Sequence, residues 1–193
     1  MRVGILFSAA LAVAGASLAE GTSLPATYQV PLMLKLVTYE LNLMAKPEAV
    51  LRFGVLYRPE DPASRSSFKE IEEEFRHLGR TEVSGRRIEL APLPIAGDQP
   101  LRLPSGVAGI DVLYVTPGNE GRLESIIAWA RGMKVLSVTA DEKQAEQGLS
   151  IALVRRGLGS GVTLNLPASL EEGREWNVNI LQIARVLRDS TNN

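Results

Sequence analysis

The sequence predicts an α/β domain: a mostly parallel sheet flanked by helices, with a C-terminal β-hairpin and a closing helix. Three observations predict it. Short, continuously apolar runs at 51–57, 111–115 and 135–139 have the profile of strands buried on both faces. Amphipathic stretches at helical spacing alternate with them, which is the pattern of a parallel sheet with helices on both sides. After residue 149 the rhythm changes to two strands around a glycine-rich tip, the profile of a hairpin.

Residues 1–19 are expected to leave the chain before it folds. Met1-Arg2 gives a positive start, Val3 to Ala16 is an unbroken small and apolar run, and Ser17-Leu18-Ala19 places small residues where a signal peptidase reads. The run is too short for a comfortable membrane span. The expected product begins near Glu20, is exported as a soluble protein and does not itself span a membrane. Residues 20–27 read as a flexible leader, 28–189 as a single domain and 190–193 as a polar tail.

Within the domain, Tyr28–Met44 reads as one helix with Pro31 in its first turn, although the alternation Leu32, Leu34, Leu36 also permits a strand. Leu51–Tyr57 is a strand bounded by prolines. Ser64–Leu78 is a helix whose Phe68, Ile71, Phe75 and Leu78 share one face, and Gly79 stops it. Val83-Ser84-Gly85-Arg86 is a turn into the strand Arg87–Ala91, and Pro92–Gly109 is a loop. Asp111–Val115 is a strand, Gly121–Arg131 a helix facing inward through Leu123, Ile126, Ile127 and Ala130, and Val135–Thr139 a further strand. Leu149–Val154 and Val162–Leu166 form the hairpin. Pro167–Arg188 closes the chain as a helix with Trp176, Ile180, Ile183, Ala184 and Leu187 on one face.

Composition narrows the chemistry. The 21 basic and 22 acidic side chains nearly balance, and no basic stripe could track phosphates, so nucleic acid is not an expected partner. With no Cys there can be no disulfide, thiol nucleophile or thiolate metal site, and no lipid tether through a Cys at the cleavage site. A single histidine, His77, would have to serve any histidine-dependent catalysis alone. No catalytic, metal or cofactor site is assigned.

Four features bear on function. The run Gly157-Leu158-Gly159-Ser160-Gly161 lacks the spacing and the strand-to-helix setting of a phosphate cradle, and reads as the hairpin tip. Thr116–Glu120 lies between a strand and a helix, where open α/β sheets bind ligands; its amides could hold an anion, without help from Glu120, but an ordinary strand-to-helix loop with a turn is the favoured reading. Glu70, Glu72, Glu73 and Glu74 lie off the apolar face of their helix and read as solvated surface, with His77 near the helix end. Trp176 is read as a core or half-buried anchor and as the candidate partner-binding residue, because aromatics concentrate at partner hot spots.

The order of these pieces resembles the YfiR-like family of exported bacterial signalling proteins. The resemblance rests on Gly54-Val55-Leu56, on the turn and strand Val83-Ser84-Gly85-Arg86-Arg87-Ile88, and on the strands Asp111–Val115 and Val135–Thr139. It continues through Gln147-Gly148-Leu149-Ser150-Ile151, Val162–Ala168 with Asn165, and Ile180–Val186. It implies a periplasmic α/β domain without catalytic activity that binds and restrains an inner-membrane diguanylate cyclase or related sensor, lowering cyclic-di-GMP and biofilm matrix output, with a homodimer left open. Redox control through cysteines does not carry over. A periplasmic small-ligand-binding protein using the Thr116–Glu120 end of the sheet is the alternative.

Overall fold

A computed structural model describes residues 23–79, 82–97, 101 and 109–188. The expected signal peptide and polar tail lie outside the described residues. Eight strands form one sheet in the order β2-β3-β1-β4-β5-β6-β7-β8. They are β1 (Val50–Tyr57), β2 (Glu82–Val83), β3 (Arg86–Pro94), β4 (Val112–Val115), β5 (Leu136–Thr139), β6 (Ile151–Arg156), β7 (Gly159–Asn165) and β8 (Ala184–Leu187). The pairs β3-β1-β4-β5-β6 and β7-β8 are parallel; β2-β3 and β6-β7 are antiparallel. The expected fold class holds: a mostly parallel sheet with helices on both faces.

The central strands feed two cores because successive residues point to opposite faces. Phe53, Val55, Val112, Tyr114, Leu136 and Val138 pack beneath α1 (Ala26–Val37) and α3 (Pro62–His77). Leu56, Leu113 and Val115 face the other way, against Leu123, Ile126 and Ile127 of α4 (Leu123–Met133). Gly54 lies on this second side, where a Cβ would come within 2.6 Å of Leu93 and 2.8 Å of Ile110. The glycine thus marks a close approach of neighbouring side chains.

Local signals explain the helix ends. Asp61 accepts the amide of Ser64 at 2.7 Å and Pro62 opens α3, so the helix begins two residues before Ser64. Its predicted face is the observed one, with Ile71 buried and Phe68, Phe75 and Leu78 packed on the core. All four inward residues expected of α4 are buried, and left-handed Lys134 terminates the helix. Ser84 and Gly85 both have positive φ, which builds a tight turn between β2 and β3. Gly157, with φ of +57°, and the fully exposed Leu158 make the two-residue tip of the β6-β7 hairpin.

Several expectations are corrected. The segment 20–27 is not leader throughout: Leu24 and Ala26 are buried and α1 begins at Ala26, which puts Pro31 inside the helix rather than in its first turn. The single helix 28–44 is broken at Thr38–Glu40, where the Glu40 carboxylate accepts the amides of Asn42 and Leu43 and starts the short α2 (Leu41–Met44). Strand β3 runs on through Pro92 and Pro94. β2 covers only its first residues, so the rest is a sheet edge, where proline is tolerated and blocks further pairing. A short α5 (Glu142–Glu146), capped by Asp141, was not anticipated.

The largest correction concerns the closing segment. Only α6 (Leu166–Glu171) is α-helical within 167–188, with Asn165 as its cap; Val178–Gln182 is a 3₁₀ turn, and Ala184–Leu187 is the edge strand β8. Gly173, at φ +74°, turns the chain out of the helix. Of the four residues expected to anchor a closing helix, Ile180 is fully buried, Trp176 and Leu187 are half-buried, and Ile183 is 40% exposed. Ile180→Ala should therefore cost about 2–5 kcal/mol of stability, as buried isoleucine truncations do, whereas Ile183→Ala should cost a small fraction of that. Paired denaturant titrations of the two variants measure the difference.

Candidate functional site

The strand order reverses at β1: the chain moves to β3 on one side and returns to β4 on the other. The carboxyl ends of β1 and β4 therefore frame the crevice where open α/β sheets place ligands. Here the chain's own side chains occupy it. Thr116 at the end of β4 donates its hydroxyl to Leu56 O at 2.8 Å. That leaves its oxygen to accept from Ser64 Oγ at 2.6 Å, while Ser64 Oγ accepts the amide of Arg58 at 2.8 Å. Arg58, just beyond β1, crosses to Gly118 O at 3.1 Å.

Two further contacts complete the closure. Asp61 lies so near Gly118 that a Cβ there would meet its carboxyl carbon at 2.8 Å, and Gly118 also has φ of +81°. The amide of Gly118, a donor an anion would need, instead meets Glu120 Oε1 at 3.2 Å. Thr116–Glu120 is thus in the predicted strand-to-helix position, but Glu120 takes the place of an anion instead of standing apart from it.

An open cleft lies one step along the same end of the sheet. Its volume is about 670 Å³, and it runs between the first turns of α3 and the carboxyl ends of β5 and β6. Ser66, Ser67 and Glu70 line one wall, and Asp141, Lys143 and Arg155 the other. At its base, Tyr114 donates its buried hydroxyl to Gln29 Oε1 at 2.5 Å. Burial pushes the Tyr114 hydroxyl up to about 12, against the opposing hydrogen bonds of Ser67 and Gln29, so it stays protonated throughout the neutral range.

Beside this cleft, Glu142 ties three strands together. Its carboxylate accepts from Thr163 on β7 at 2.5 Å, from Arg185 on β8 at 2.8 Å, and from Arg156 on β6. The Thr163 hydroxyl, with Arg185 and Arg156, holds the Glu142 carboxyl below its ordinary value despite partial burial. Asn165, singled out by the family pattern, has two structural duties. Its Oδ1 accepts the amide of Ala168 at 3.1 Å, and its Nδ2 donates to Ala145 O at 2.7 Å, so one side chain starts α6 and anchors α5.

The remaining sequence candidates are dispersed. His77 is exposed at the end of α3, and Glu72 pairs with Arg76 at 3.6 Å on the surface of that helix. Residues 157–161 form the hairpin tip and the start of β7. Trp176 is half-buried, packs on the main core and donates Nε1 to Ser169 Oγ at 3.0 Å. Its backbone bridges to Glu40, with Leu41 N to Glu175 O at 2.7 Å and Asn177 N to Tyr39 O at 2.8 Å.

Sequence reasoning missed the buried ionisable groups of this region. Glu40, Glu172 and Arg174 meet at the amino end of the sheet, all at most 5% exposed. The only local signal was Gly173, which argued against a continuous helix. Among the described residues, no helix is long and apolar enough to cross a membrane.

The model of the YfiR/HmsC-like family matches residues 48–185. No curated protein matches the chain. Among solved structures, a conserved domain protein from Vibrio cholerae O1 biovar El Tor strain N16961 is similar at TM-score 0.60 and 14% identity, over 85% of this chain and 60% of that one. The ABC domain in complex with L-Trp from Streptococcus pneumonia is similar at TM-score 0.55 and 12% identity, over 84% and 61%. The chain spans about three fifths of the length of these two structures, and at such identities the likeness is one of fold.

The closed crevice makes a specific expectation. Thr116→Val keeps the shape but leaves the buried Ser64 hydroxyl without its acceptor, which should cost about 1–3 kcal/mol. Thr116→Ser keeps the hydroxyl and should recover most of that loss in the same thermal melts.

Proposed function

The chain belongs to the YfiR/HmsC-like family, and from that membership we propose that it is a non-enzymatic periplasmic protein that binds and restrains an inner-membrane diguanylate cyclase or a related membrane sensor. The family is one of periplasmic regulators of cyclic-di-GMP signalling, regulatory in character. The family match, which runs from just before β1 into β8, is the observation that carries the reading. The closed switch-point crevice supports it, since the usual ligand position of this architecture is committed to holding β1, β4 and α3 together.

A binding protein moves its target's equilibrium only by its differential affinity for the target's two states. The restrained state must therefore present a surface that this domain fits better than the active one. The partner-binding face we assign surrounds Trp176. Val178 is 70% exposed, and Leu170, Leu181 and Ile183 are exposed in the same stretch of chain. An aromatic ring with aliphatic neighbours is the composition of an interface hot spot. A small-ligand-binding role is the second reading. The cleft beside Glu70, Lys143 and Arg155 favours it, and the streptococcal domain of similar fold is in complex with L-Trp.

Deleting the gene should raise cellular cyclic-di-GMP and matrix production, and a version lacking residues 1–19 should fail to restore the wild-type level. Val178→Asp should release the cyclase with an unchanged melting temperature, because the side chain is exposed. Trp176→Ala should also release it, with some loss of stability from the Ser169 hydrogen bond. Cyclic-di-GMP unchanged on deletion, together with a small molecule that raises the melting temperature dose-dependently, would favour the ligand-binding reading.

A further inference from the structure

The segment following α6 is fastened across the amino end of the sheet by Glu40, Glu172 and Arg174, of which two are acids and one is a base. Their surroundings divide the roles. Glu40 accepts backbone amides from Asn42 at 3.3 Å, from Leu43, and from Glu175 at 2.7 Å, and Arg174 Nη1 lies 3.6 Å from its Oε2. Backbone amides and a guanidinium thus surround the Glu40 carboxyl oxygens. Arg174 spends its other donors on Lys134 O at 2.9 Å and Glu172 O at 3.1 Å.

Glu172 has a different set of partners. One amide, Ser137 N, reaches its Oε2 at 2.9 Å, and the hydroxyls of Ser137 and Ser150 each lie 2.5 Å from a carboxyl oxygen. Ser137 Oγ also accepts the amide of Ser150 at 2.8 Å. A hydroxyl can donate to a carboxylate or accept from a carboxylic acid, so this pocket serves both protonation states. The neighbouring surface charges are committed elsewhere: Lys134 Nζ donates to Glu171 O at 2.8 Å, and Arg131 pairs with Glu171 at 2.7 Å.

We propose that Glu172 is a proton-operated latch. Protonated, it fastens the segment bearing Trp176 and β8 to the amino ends of β5 and β6; ionised, it places in a buried site a negative charge whose lost hydration the Ser137 and Ser150 hydrogen bonds and Arg174 offset only in part, which loosens that fastening. Burial pushes the Glu172 carboxyl up to about 7 from an ordinary 4.5, against the Ser137 and Ser150 hydrogen bonds and the Arg174 charge. The sign follows from linkage. Between pH 4.5 and about 7 the folded chain holds a proton that the unfolded chain has released, so stability falls as pH rises through that window and levels off above it. The latch rests on the full burial of Glu172, on its hydroxyl partners and on the raised carboxyl; a role for it in partner binding rests in addition on the proposed function.

The test is amide hydrogen exchange of residues 172–188 in the full mature protein, corrected for the intrinsic rate, between pH 5 and 8. Wild type should lose protection by at least about 10-fold, the equivalent of one pKa unit. Glu172→Gln, which mimics the protonated carboxyl, should hold its protection across the range, and His77→Gln, which removes the chain's one histidine, should behave as wild type. A carboxyl carbon titration by NMR on wild type supplies a second readout should the Gln variant fail to fold. Glu172 titrating near 4.5, or a folded Glu172→Gln variant that keeps the wild-type pH dependence, overturns the latch. Neither measurement involves the cyclase, so a failed latch leaves the regulatory reading standing and the reverse also holds.

Discussion

The constraint on which the rest of this structure depends is the placement of β1 in the interior of a parallel sheet, with α-helices above and below. A parallel strand must be covered on both faces. Phe53 and Val55 supply one core while Gly54 and Leu56 face the other, so a single eight-residue strand joins both. The parallel pairings of β1 with β3 and of β4 with β5 set the two crossovers that carry α3 to one side and α4 to the other. From the same placement comes the crevice at the strand ends, since it opens where the chain leaves β1 in one direction and returns in the other.

What the protein does with that crevice separates it from a typical ligand-binding sheet. Arg58, Ser64 and Thr116 bridge the strand ends, Asp61 caps α3 beside them and the exposed Glu120 takes the Gly118 amide, so the chain's own groups make a structural joint there. At the opposite, amino end of the sheet, Glu172 carries a carboxyl raised toward neutrality by burial. The second end is where Trp176 and the edge strand β8 attach through the Glu40 bridge.

The central sheet and the helices α3 and α4 were legible because each carries a local signal: Phe68, Ile71 and Phe75 repeat at helical spacing, and Val112–Val115 is a continuous apolar run. The closing segment was not. Trp176, Ile180, Ile183 and Leu187 are spaced four, three and four apart, which imitates a helix face, yet the chain there turns, makes a 3₁₀ turn and ends in a strand. Gly173 was the one contrary signal, and periodicity outweighed it. The buried acid-base cluster could not be read at all, because Glu40 and Glu175 meet across 135 positions, and nothing in either neighbourhood marks a carboxylate that will lose its water. Thr116–Glu120 is the strand-to-helix loop expected, but its partners could not be read locally, since the Asp61 and Arg58 that approach it come from the end of another strand.

The proposed regulatory role draws on two of these features: a crevice filled by the chain's own side chains, and the exposed apolar residues Leu170, Val178, Leu181 and Ile183 in the same stretch of chain as Trp176. The measurement that tests this most directly is cyclic-di-GMP synthesis by the membrane cyclase in vesicles, with its periplasmic region facing outward, as purified mature protein is added. The account predicts a saturable fall in the synthesis rate that Val178→Asp shifts to higher protein concentration. A rate that stays constant at every concentration of correctly folded protein would contradict it.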